Sequence, residues 1–177
     1  MKDLIKGGII TLLIGGSAYT ISQSDVIKNF ADDTGLTQEQ AEEYVNNISE
    51  DELFSFDKIG ADLIDEGKEI DSLTPEIDCV NYEYEWESAR LSCQEGKAQL
   101  GILARDYISL GEAYIKLSSD SASEADMSET IRLIDRLNSD FQLEMVSAIL
   151  DLATIDEIRK TNSYNKAILK AALESDN

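Results

Sequence analysis

Counted in sevens from Cys79, the chain returns Cys79, Trp86, Cys93, Leu100, Tyr107 and Tyr114. Three residues after each stand Tyr82, Ala89, Gly96, Leu103, Leu110 and Leu117. No charged residue falls on either seam. A seven-residue apolar repeat underwinds a helix and lays its seam along a neighbour, so the pattern predicts a long helix inside a helical bundle. Thr74-Pro75 suits its start, because threonine accepts from the free amides of the first turn and proline there gives up no bonded amide. Glu76 and Asp78 complement the positive end of the helix dipole. Such a helix, ending near Leu117, would be about 65 Å long at 1.5 Å per residue.

A second stretch repeats the period. Met127, Ile131, Ile134, Asn138, Phe141, Met145, Ala148, Leu152 and Ile155 are spaced by alternating steps of four and three. This helix is the expected antiparallel partner of the first, across a polar loop from Ser118 to Ala125, with Ser123-x-x-Asp126 as its cap. Asn138 falls on the seam, where a lone asparagine sets register. Leu143 to Ala153 is apolar almost all round, so other elements must cover it. Arg159 and Lys160 suit the helix end, Asn162-Ser163 reads as a break, and Tyr164 to Leu173 as a last amphipathic helix. Upstream, Thr37-x-x-Gln40 and Ser49-x-x-Glu52 are capping boxes. The first opens a short helix that buries Ala41, Tyr44, Val45 and Ile48. The second opens one carrying Leu53, Phe56, Ile59, Gly60, Leu63 and Ile64, with Gly67 as its stop. The fold class that follows is all-α: an antiparallel long-helix hairpin within a helical bundle, with short helices packed on it.

The amino terminus stands apart. Lys2 and Lys6 precede an uncharged run from Gly7 to Ser24 with Ile9-Ile10-Thr11-Leu12-Leu13-Ile14 at its heart. A basic start followed by a short apolar region is the layout of a signal peptide, and Gly16-Ser17-Ala18 offers a cleavage site. The run is also just long enough for a tilted membrane span, with Gly7, Thr11 and Gly15 on one stripe. A core helix over residues 4–22 of a cytoplasmic protein is the third reading. The expected organisation is thus residues 1–24 as signal peptide or anchor, 25–35 as a connecting segment, and 36–177 as the helical domain. The lysines ahead of the run place the bulk of the chain outside the cytoplasm.

Charge sharpens this picture. The net charge of −21 is concentrated in residues 25–87, which hold 20 acids against 3 bases. Such a field repels nucleic acid and favours a basic protein surface. The 177 residues contain no histidine. That removes Ser-His-Asp and Cys-His catalysis, histidine-ligated zinc and the Glu-x-x-His pairs of di-iron bundles. The acid-rich stretches lack the spacing and glycine of a calcium loop, and there is no glycine-rich phosphate loop. No catalytic residue, cofactor or metal site is expected.

The two cysteines create a conflict. In an exported chain Cys79 and Cys93 would be bonded. On one continuous helix they would lie roughly 21 Å apart, whereas a disulfide needs Cα atoms within about 7 Å. Val80-Asn81-Tyr82-Glu83-Tyr84-Glu85-Trp86-Glu87 alternates like a strand, so this stretch could instead fold back and start the long helix near Ser88. The unbroken heptad and the Thr-Pro start favour the continuous helix; two free, buried thiols are the third option. Glu83, Tyr84, Glu85 and Glu87 form a candidate interaction face, with Tyr84 off the seam and placed to meet a partner. The function these features predict is a non-catalytic extracytoplasmic accessory protein that binds a basic protein through an acidic face. The alternative is a helical carrier of a small ligand or cation.

Overall fold

In the computed structural model the described residues are 8–47, 56–79, 87–141 and 152–175. They fold as a mostly helical bundle joined at one end by a small hairpin of two strands, β1 (Ile9–Ile14) and β2 (Ser17–Ser22). Five helices follow the hairpin and a sixth closes the chain. These are α1 (Gln23–Thr34), α2 (Gln38–Asn47), α3 (Phe56–Leu73), α4 (Glu87–Leu117), α5 (Glu124–Asp140) and α6 (Leu152–Ser175), with a 3₁₀ turn over Thr74–Glu76.

The hairpin replaces the helix that the core-helix reading placed over residues 4–22. Gly15 and Gly16 adopt φ of 57° and 73°, the paired positive values of a two-residue turn whose twist matches antiparallel strands. Ile14 then faces Ser17, Leu12 faces Tyr19 and Ile10 faces Ile21. Ile10, Leu12, Ile14, Tyr19 and Ile21 are buried; Ile9, Thr11 and Leu13 face outward. Among the described residues no helix is long and apolar enough to cross a membrane. The segment after it, expected to be a connection, is α1. It buries Val26, Ile27 and Phe30 and ends on Gly35 at φ 73°, whose amide donates to the Ala31 carbonyl.

The long helix is shorter than the heptad predicts. It begins at Glu87 because Cys79 is bonded to Cys93 with Cα atoms 5.7 Å apart, and one straight helix cannot place them so close. Thr74-Pro75 opens a single 3₁₀ turn instead. From Gly96 onward the seam is buried as its period requires: Leu100, Leu103, Tyr107, Leu110, Tyr114 and Leu117 all lie inside.

The most extensive helix contact of α4 is with α3, although α5 also packs on it. A Cβ built on Gly60 would stand 2.5 Å from the Gly111 carbonyl oxygen, and one on Gly111 equally close to that of Gly60. One heptad away, a Cβ on Gly67 would meet the Ala104 oxygen at 2.8 Å. Both contacts belong to one antiparallel register in which small residues let two backbones touch. Gly67 is therefore a packing glycine and not a stop; α3 runs on to Leu73.

Two further boundaries differ from expectation. α5 ends at Asp140, and α6 starts at Leu152 and passes through Asn162-Ser163 without a break. Residues Asn162 to Leu169 are buried in succession, so α6 is the central helix, enclosed by α1, α5 and β2. Asn162 finds a partner there: its side-chain amide donates to the Asn138 side chain at 3.1 Å. Asn138 thus ties α5 to α6. Aromatic rings complete the core, with Phe30 stacked on Tyr44 and edge-on to Tyr164, and Phe56 stacked on Tyr114. The box at Thr37 and Gln40 forms in both directions, as does the one at Ser123 and Asp126. The Ser49 box lies outside the described residues.

Candidate functional site

The acidic chemistry divides between an outer face and two interior clusters. On α3, Asp62, Asp65, Glu66, Glu69 and Asp71 are all exposed. Steps of three and four put Asp62, Glu66 and Glu69 on one stripe. Lys68 reaches Asp65 at 3.5 Å with both side chains largely in solvent, a pair that contributes little. Asp62, Glu66 and Glu69 make no ion pair among the described residues. The consequence appears in Glu66, whose carboxyl is held above its usual range by partial burial and by repulsion from Asp62 and Glu69. Exposed Glu39, Glu42 and Glu43 on α2 add to the same sign of charge. The inner side of α3 is glycine-packed against α4, so its acids occupy the side that the contact leaves over.

The first interior cluster joins three helices. The Lys166 ammonium of α6 donates to Asp33 at the end of α1 and to Asp135 of α5. Lys166 is 8% exposed and Asp33 16%. Burial alone would raise the Asp33 carboxyl, but hydrogen bonds from Lys166 and Ser163 and the Lys166 charge together hold it below its usual range. Lys166 itself is raised: burial opposes its charge, and the two carboxylates outweigh that.

The second cluster has the same composition, one base and two acids, in a different arrangement. Asp106 of α4 is 3% exposed, and its carboxylate meets the Arg136 Nε of α5 at 2.7 Å. Asp140, one turn further along α5, lies against Asp106. Burial first, then a hydrogen bond to Asp106 and its negative charge, push the Asp140 carboxyl up to about 7, with Arg136 opposing. At 3% exposure Asp106 lies inside the bundle, and its contact with Arg136 joins α4 to α5.

A third polar spot lies at the middle of the bundle. The Tyr114 hydroxyl and the Asn165 amide are sealed together and neither makes a well-formed hydrogen bond. Burial raises the Tyr114 phenol, and Asn165 offsets part of that. Beside the disulfide, Lys97 donates to the Pro75 and Ile77 carbonyls, each at 3.2 Å, and pins the 3₁₀ turn to α4.

Of the residues singled out from sequence, Cys79 and Cys93 are brought together in a disulfide. Glu87 opens α4; Glu83, Tyr84 and Glu85 lie outside the described residues. Sequence reasoning did not single out Lys166, Asp106 or Asp140. The available signal was Lys166, one of two lysines in the largely apolar stretch Tyr164 to Leu173, and an aspartate directly beside seam residue Tyr107. Among the described residues no group of three or more His, Cys, Asp or Glu is placed to hold a metal. No protein-family model, curated protein or solved structure matches this chain.

Proposed function

We propose that this protein acts without catalysis, by docking a partner of basic surface on the acidic outer face of α3 and α2. The observation that carries the reading is the Asp62–Glu66–Glu69 stripe, where partial burial and then like charges raise the Glu66 carboxyl and no base among the described residues pairs with it. A helix that keeps such a stripe tolerates self-repulsion that a basic partner would relieve. The absence of histidine supports a binding role over acid–base chemistry. Glu83, Tyr84, Glu85 and Glu87 are proposed as further contacts for the same basic partner.

The same proposal places the protein outside the cytoplasm, because a bonded cysteine pair belongs to oxidising compartments. It also has the working chain retain residues 9–22, since Ile10, Leu12, Ile14 and Ile21 contribute to the core. Nucleic acid is not a proposed partner, given the −21 charge.

The test compares the wild type with an Asp62→Asn, Asp65→Asn, Glu66→Gln, Glu69→Gln variant as immobilised baits. The wild type should retain basic proteins that elute as salt rises, and the variant should not. Capture that is indifferent to both salt and the four substitutions would overturn the reading.

A further inference from the structure

Among the described residues, β1 is an edge strand with nothing to blunt it. In its pairing with β2, the Gly8 carbonyl accepts from Gln23, and the register places residues 8, 10, 12 and 14 as the positions that bond across the hairpin. Residues 9, 11 and 13 therefore direct their amides and carbonyls away from β2. No described residue hydrogen-bonds to these backbone groups. The strand carries no lysine, proline or bulge, which are the usual guards of a free edge. Ile9 and Leu13 are 47% and 70% exposed.

We propose that β1 pairs antiparallel with β1 of a second copy, about a two-fold axis through Thr11, to make a four-stranded sheet. Two observations select a second copy as the occupant. The first is self-complementarity. An axis at Thr11 sets Ile9 opposite Leu13 of the other copy, twice over, and Thr11 opposite itself. All three outward-facing positions are then bonded, giving about six main-chain hydrogen bonds. The two exposed apolar side chains of the strand become cross-strand neighbours on one face. Their inward counterparts, Ile10, Leu12 and Ile14, are already buried under each copy's own helices.

The second observation is charge. Residues 1–24 carry +1 in a chain of −21, and Gly7 to Ser24 holds no charged residue. Two such chains repel wherever acidic faces meet, and this edge is where they approach with least opposition. An isologous contact also closes on itself, so the edge is consumed and does not propagate into a fibre.

Sedimentation of the full chain over a range of concentrations reads the result. The wild type should form a dimer in equilibrium with monomer. Leu13→Lys should abolish the dimer while leaving circular dichroism unchanged, and the thermal midpoint unchanged at concentrations where the wild type is monomeric, since the side chain is in solvent in the monomer. Under mild oxidation Thr11→Cys should give a cross-linked dimer, because paired residues on the axis have Cα atoms about 5.5 Å apart. Leu13→Cys, off the axis, should not. A wild type that stays monomeric overturns the proposal, whether or not it binds lipid vesicles or an extended peptide instead. So does a dimer indifferent to Leu13→Lys, or equal cross-linking at positions 11 and 13.

Discussion

The acids of this protein meet two different fates. Inside, Asp33 meets the buried Lys166, which also reaches the exposed Asp135, and Asp106 meets Arg136. Outside, Asp62, Glu66 and Glu69 repel one another along α3. The interior acids fasten one helix to another: α6 to α1 and α5, and α4 to α5. Among the described residues the outer acids Asp62, Glu66 and Glu69 fasten nothing. A buried carboxylate must be answered by a donor or it destabilises the fold by several kcal/mol. An exposed one is solvated and screened, so its neighbours can be chosen for reasons other than stability. That is why the outer face, and not the interior, carries the proposed docking role.

The two interior clusters also differ from each other. Around Lys166 the base is buried and both acids reach it. Around Asp106 the base is half in solvent, and Asp140 must share with another carboxyl. Equal composition therefore produces opposite responses to pH. The Asp33 carboxyl lies below its unfolded value, so its contribution is present above about pH 4 and fades as pH falls through the folded value. The Asp140 carboxyl is raised to about 7, so its contribution is full below its unfolded value and is lost as pH rises through about 7.

The largest expected effect comes from removing the answering charge. Lys166→Ala leaves Asp33 buried without its base and should cost about 3 kcal/mol in urea unfolding at pH 7. A loss within experimental error would mean that the cluster is solvated and that inside and outside do not differ. Next, Gly60→Ala drives a methyl into the Gly111 carbonyl and should cost about 1–3 kcal/mol by overpacking. Because α3 carries the acidic stripe on its other side, this variant separates damage to the helix pair from loss of the stripe. Thermal melts of Asp140→Asn across pH 4 to 9 should then show a flatter decline between about pH 4 and 7 than the wild type. An unchanged slope in that window would remove Asp140 from the comparison. The smallest effect belongs to the outer face. The four-fold neutral variant of α3 should melt slightly higher than the wild type at low salt, by about 1 kcal/mol or less, and should gain less from added salt. A lower melting point would show that the stripe is paired after all.

Much of the interior was legible beforehand, and the misreadings share a cause. The seam from Gly96 to Leu117 could be read because its burial follows from local periodicity. The boxes at Thr37 and Ser123 were legible because capping is settled within four residues. The hairpin was hidden by an uncharged run with four glycines, which composition alone assigns to a signal or a span. Gly15-Gly16 between two six-residue runs was the turn signal. Gly67 looked like a stop because its partner Ala104 is distant in sequence. Asn162-Ser163 looked like a break because the Asn138 amide that accommodates Asn162 lies on another helix. The start of α4 turned on the cysteines, where a distance limit outweighed a continuous heptad. Lys166 and Asp106 became recognisable only through partners on other helices, whereas the acidic excess of residues 25–87 needed no structure to be noticed.

Carboxyl-carbon NMR, following the aspartate and glutamate side chains through one pH titration, tests the contrast most directly. The expected order is Asp33 titrating below the ordinary carboxylate range, Glu66 above it, and Asp140 highest, near 7. Asp33 and Glu66 titrating together at an ordinary value would contradict it, because the interior acids would then be no better answered than those on the face of α3.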